Sequence, residues 1–171
     1  MKKTIGAFCS ILAGVLTFVF FSIPNIVSTL TVALLGSATA KETAWDVLKN
    51  YDSNTDGYVL FKIAVIAMIV FACLAIIVGT LLLLKNFNEI KTKINFNLAN
   101  NIVLCLLMVA NIVAFISSVI ICNFLASDAY LATSSAKIGV GLWLNLIFSV
   151  VAFVIALIFA KPVKNKKKSK K

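Results

Sequence analysis

Hydrophobic positions along the chain fall into four long blocks separated by short polar segments. The blocks run from Ile5 to Leu35, Ile63 to Leu84, Leu98 to Leu125 and Ile138 to Ala160, and none contains a charged residue. About 20 helical residues cross a hydrocarbon layer of about 30 Å. A helix satisfies its own backbone groups in lipid, and these blocks lack the polar–apolar alternation of barrel strands. The pattern therefore predicts an all-α integral membrane fold, an antiparallel four-helix transmembrane bundle. Its spans fall near residues 5–27, 63–84, 98–125 and 138–160, with an outer polar loop over 36–57. Residues 1–160 make the membrane domain, and 161–171 a disordered polybasic tail.

Pro24 and Asn25 interrupt the first block. Proline cannot donate the next helical hydrogen bond, so the membrane part should end near Pro24 to Val27, with a helical extension or kink beyond. A rival reading is a signal peptide with Lys2 and Lys3 as its n-region and cleavage after Ala38-Thr39-Ala40. The uncharged stretch is far longer than the usual apolar region of about 7–15 residues.

Composition agrees with lipid as the solvent. Hydrophobic residues make up 61% of the chain and charged residues 13%, against about 25% charged in soluble domains. The net charge of +10 is unevenly spread. Lys2 and Lys3 precede the first block, Lys85, Lys91 and Lys93 lie between the second and third, and seven lysines fill the tail. The other two loops are close to neutral. Basic segments stay on the cytoplasmic side, which predicts a multi-pass protein of the cell (plasma) membrane with both termini cytoplasmic. Trp45, Tyr51, Tyr58 and Tyr130 then fall at outer-side positions suited to interfacial anchoring.

Small and polar residues recur at helical spacing in each block. The fourth carries Gly141, Asn145, Ser149, Ala152 and Ala156, and the third Ala110, Ala114 and Ser118 with Asn111 and Ser117 beside them. The first carries Gly6, Ser10 and Gly14, and the second Ala72, Ala75 and Gly79. Such stripes let helix backbones approach closely in lipid, so they predict small-residue seams in a left-handed bundle. Asn111, Ser118, Asn145 and Ser149 have a second reading, as the lining of a polar path for a small neutral solute.

The chain has no histidine, and no Asp, Glu, Lys or Arg lies within any block. Ion-coupled transport and voltage sensing place ionisable groups there, and acid–base catalysis needs a positioned titratable group. The expectation is a non-enzyme without a cofactor. Cys9, Cys73, Cys105 and Cys122 all lie inside apolar blocks and read as small buried hydrophobes rather than a disulfide framework. Asp52, Asn54 and Asp56, followed by Gly57, match the opening of a calcium-binding EF-hand loop. The bidentate glutamate that should close such a loop is replaced by Ile63, and the same residues suit a solvated turn. In the tail, Lys164, Lys166, Lys167, Lys168, Lys170 and Lys171 suit anionic lipid headgroups. No aromatic or arginine accompanies them for nucleic-acid stacking, so nucleic acid is not expected. Phe87, Ile90 and Ile94 suggest a middle connector lying flat on the inner surface.

Internal termini, a larger first outer loop, short later connections and a basic tail resemble the small tetraspan proteins of the claudin and peripheral myelin protein kind. Gly139-Val140-Gly141-Leu142-Trp143 is similar to the glycine and tryptophan pattern at the head of their fourth span. The chain departs from them in the first outer loop, which has Trp45 alone and no cysteine, and whose length predicts no sheet. The resemblance implies adhesion, scaffolding or an accessory-subunit role. The function expected from the sequence is a structural or accessory protein that binds other membrane proteins, or itself, and anionic lipid. The alternative is a passive channel or permease subunit for small neutral solutes.

Overall fold

A computed structural model describes residues 2–32, 36–87, 95–127 and 133–160. The elements in chain order are α1 (Lys2–Phe21), β1 (Ile26–Val32), β2 (Gly36–Glu42), α2 (Ala44–Asn50), α3 (Tyr58–Asn86), α4 (Phe96–Ser127), β3 (Thr133–Ile138) and α5 (Val140–Ala160). Four helices, α1, α3, α4 and α5, are long and apolar enough to cross a membrane.

The long helices form a ring in which α1 packs on α3, α3 on α4, α4 on α5 and α5 back on α1. Neighbours run antiparallel. Gly14 of α1 faces Ala72 and Ile76 of α3, while Gly79 of α3 faces Ala7 and Ile11 of α1. A Cβ on Gly14 would lie 2.6 Å from the Ala72 carbonyl oxygen, so only glycine permits this approach. The seam residues of all four helices are buried, including Ser10, Ala72, Ala75, Ala110, Ala114, Asn145, Ser149, Ala152 and Ala156. Large apolar side chains fill the space they leave: Phe61, Met68, Leu104, Leu107 and Ile121 are fully enclosed. The opposite faces expose Phe8, Ile63, Ile77, Ile116, Val154 and Ile158, the outward apolar surface that lipid contact requires.

The all-α expectation is corrected by a three-stranded antiparallel sheet in the order β2-β1-β3. No helical extension follows Pro24. The last helical turn closes with Ile23 N–H donating to the Phe20 carbonyl at 3.2 Å. Proline then disfavours a helical conformation at the residue before it. The stretch Ile26-Val27-Ser28-Thr29-Leu30-Thr31-Val32 is rich in β-branched residues, which favour a pleated surface. It pairs with β2, from Ile26 opposite Glu42 to Val32 opposite Gly36. Ala38, Thr39 and Ala40 are therefore the middle of a strand. The fourth apolar block also divides, since Ile138 ends β3 and α5 begins at Val140. The outer loop is short, yet it makes a sheet because β1 is drawn from the first apolar block and β3 from the last loop.

Candidate functional site: the sheet and its junction with the helices

The sheet is joined to the helices at Pro24 and Asn25. The Asn25 N–H donates to the Glu42 carbonyl at 2.7 Å, and the Gly139 N–H donates to the Asn25 carbonyl at 2.7 Å. The Gly141 N–H donates to the Pro24 carbonyl at 3.0 Å. One dipeptide thus holds the end of β2 and the start of α5. A Cβ on Gly139 would run into the Pro24 carbonyl, and one on Gly141 would lie 2.7 Å from Asn25 Oδ1 and from the Ile23 carbonyl oxygen. The glycines in the Gly-Val-Gly-Leu-Trp segment are needed for this backbone crossing. Its Trp143 stands edge-on to Phe115 of α4, with ring centres 4.6 Å apart. Asn25 is buried, and neither polar atom of its side chain has a hydrogen-bond partner.

Helix α2 closes one side of the sheet. Its start is a reciprocal cap, in which the Asp46 N–H donates to Thr43 Oγ1 at 3.3 Å and the Thr43 N–H donates to Asp46 Oδ2 at 3.0 Å. The Thr43 N–H first, and then the Thr43 hydroxyl, which donates to the same Oδ2 at 2.7 Å, hold the Asp46 carboxyl below its ordinary pKa. Val47 is fully buried, and Trp45 stands edge-on to Phe21 with ring centres 5.7 Å apart. The Tyr51 hydroxyl donates to Glu42 Oε2 at 2.7 Å, and the Tyr58 hydroxyl to the Leu48 carbonyl at 3.1 Å. Burial, with the bond to Glu42 second, pushes the Tyr51 phenol pKa upward. The two tyrosines therefore brace α2, Tyr51 against the end of β2 and Tyr58 from the start of α3. Tyr130 lies outside the described residues.

Alternation in the strands gives the sheet two different faces. Ile26, Ala136 and Ile138 turn toward the helices, and Ser134 donates to the Leu125 carbonyl of α4 at 2.7 Å. The other face carries Val27, Thr29 and Thr31 from β1, Ser37, Thr39 and Lys41 from β2, and Ser135 and Lys137 from β3. Thr29 and Thr39 touch hydroxyl to hydroxyl at 3.4 Å. Beside Val27 this face descends into a cleft of about 540 Å³ that reaches Ile23, Pro24 and Val140. Strand alternation could have revealed the hydroxyl face from sequence. The pairing of β3 with β1, which completes it, has no local signal.

The residues of the possible polar path lie on neighbouring helices and bond mainly to their own backbones. The Ser118 hydroxyl donates to the Ala114 carbonyl at 2.8 Å, the Ser149 hydroxyl to the Leu146 carbonyl at 2.9 Å, and Asn111 Nδ2 to the Leu107 carbonyl at 2.9 Å. Asn111 Oδ1 and Asn145 Nδ2 are buried without partners. In the Asp52–Asp56 segment, the Asn54 N–H and Nδ2 donate to the two carboxylate oxygens of Asp52 at 3.0 and 3.1 Å. This is a solvent-exposed Asx turn leading into α3. Among the described residues, no group of three His, Cys, Asp or Glu is placed to hold a metal. At the opposite end of the bundle, Lys85 Nζ lies 5.3 Å from the centre of the Phe96 ring, linking the end of α3 to the start of α4. Ile90, Ile94 and the tail lysines lie outside the described residues.

These features define a mostly helical protein with four candidate membrane-spanning helices and a small sheet at one end. No protein-family model matches the chain, and no curated protein matches it in sequence.

Proposed function

We propose that this chain is a non-catalytic multi-pass protein of the cell membrane. Its four helices form an antiparallel transmembrane scaffold that presents the sheet and α2 to other membrane proteins, or to a second copy of itself. By the lysine bias, the helix ends away from the sheet face the cytoplasm, and the lysine tail meets anionic lipid there. The observation that carries the reading is the filled bundle interior. Its seam residues Ser10, Asn111, Ser117, Ser118 and Ser149 bond back to their own helices, and Met68, Leu104 and Leu107 are fully buried among them. Such an interior suits a rigid support better than a moving or conducting one. The sheet also ends on β2, whose outer edge pairs with no other strand among the described residues, and strand edges are natural docking sites.

A photo-crosslinking residue in place of Ala38 on β2 tests the reading in native membranes. A discrete adduct with a membrane protein or a second copy is expected, with none from the same probe at Val154 on α5. A strictly monomeric protein without adducts from the sheet would overturn the proposal.

The competing reading, a passive conduit for small neutral solutes, draws support from the unpartnered Asn111 Oδ1 and Asn145 Nδ2. A conduit would raise solute flux across liposomes and lose it in Asn145→Leu. The scaffold reading expects flux at the background leak for both proteins.

A further inference from the structure

We infer that the cleft between the outward face of the sheet and the ends of α1 and α5 binds the headgroup of an anionic phospholipid. The lipid would come from the leaflet on the sheet side. Val27 pairs with Lys41 on one side and with Lys137 on the other. Directly opposed residues of antiparallel strands point to the same face, so the two lysines flank Val27. Two strand spacings place their backbones about 10 Å apart, and their flexible stems let both ammonium groups close on one phosphate between them. Both lysines are exposed, and neither pairs with a carboxylate among the described residues. Glu42, next to Lys41 in the chain, lies on the opposite face and accepts the Tyr51 hydroxyl. The sheet face around the lysines therefore carries positive charge and no described acid.

The floor of the cleft selects a lipid over a free anion. It is formed by Ile23, Pro24, Val27 and Val140, and Val140 is 63% exposed at the first turn of α5. From there the surface continues onto the apolar outer faces of α1 and α5. An acyl chain would follow those faces while the phosphate sits between the lysines. Thr29 and Ser135, one row further from the helices, offer hydroxyl donors to the polar part of the headgroup. This inference rests on the reading that the four helices span a bilayer.

The test uses the full chain in phosphatidylcholine liposomes doped with a phosphatidylglycerol that carries photoreactive groups in its headgroup and acyl chain. Peptides covering residues 23–27 and 137–140 should be labelled. Labelling there should fall about fivefold in Lys41→Gln or Lys137→Gln and about twenty-five-fold in the double variant. Lys62→Gln, an exposed lysine at the start of α3, should leave it unchanged. Unlabelled phosphatidylglycerol should compete, whereas phosphatidylcholine and free glycerol phosphate should not. Labelling that ignores both lysines, equal labelling by a phosphatidylcholine probe, or displacement by glycerol phosphate would overturn the inference. So would protein adducts on Lys41 that exclude the lipid. Absence of label from every apolar helix would instead refute the bilayer-spanning reading.

Discussion

Gly57 shows how one residue can serve two constraints. It precedes α3 with φ of 83°, a left-handed conformation that costs most residues about 1–2 kcal/mol. A Cβ there would also lie 2.9 Å from the Ser117 carbonyl oxygen and 3.0 Å from Ile120 Cβ, both on α4. Gly57→Ala is therefore expected to lower stability by about 2–4 kcal/mol, adding backbone strain to overpacking. Thermal unfolding in detergent would show this as a fall in Tm, and an unchanged Tm would contradict the geometry. From sequence, Gly57 reads as the turn glycine of a calcium-loop-like segment. The turn was legible because Asp, Asn and Gly have local preferences. The contact with α4 was not, because it depends on a residue sixty positions away.

Helix α2 is the shortest of the helices among the described residues, and one of its contacts titrates. The Tyr51 phenol is held protonated by burial and by its bond to Glu42. A group whose pKa is raised on folding contributes fully below its unfolded value, here about 10. That contribution is lost as pH rises toward and through the higher folded value. The packing of α2 should loosen above pH ~10 in the parent protein, and Tyr51→Phe should remove that alkaline step. Trp45 emission in a Trp143→Phe background reports it, because Trp45 rests edge-on against Phe21. An alkaline transition identical in both proteins would place its cause elsewhere. The long helices were legible as elements because length and hydrophobicity are local properties. Strand β1 was hidden inside the first apolar block, beyond its Pro24-Asn25 interruption, although Val27, Thr29 and Thr31 at every second position carried the signal. Strand β2, Gly-Ser-Ala-Thr-Ala-Lys-Glu, has only Thr39 as a strand-favouring residue and is ordered by pairing with β1.

For the whole molecule, the antiparallel ring puts the sheet at one end and the end of α3 with the start of α4 at the other. The lysine bias then predicts opposite accessibility. In a cysteine-free background, Ser37→Cys on β2 should react with a membrane-impermeant thiol reagent on intact cells. Phe87→Cys after α3 should react only once the membrane is opened. Equal reactivity at both positions would overturn the orientation. By itself the sequence determined that four segments are oily enough to sit in a bilayer, which helix faces carry small residues, and where charge collects. Those properties belong to single segments and can be read from residue type and spacing. Only the tertiary structure decided that the first apolar block divides into helix and strand, that β3 crosses from the last loop to pair with β1, and that Lys41 and Lys137 flank one valine. Each of these is a pairing between distant parts of the chain, and its free energy exists only once both parts are in place.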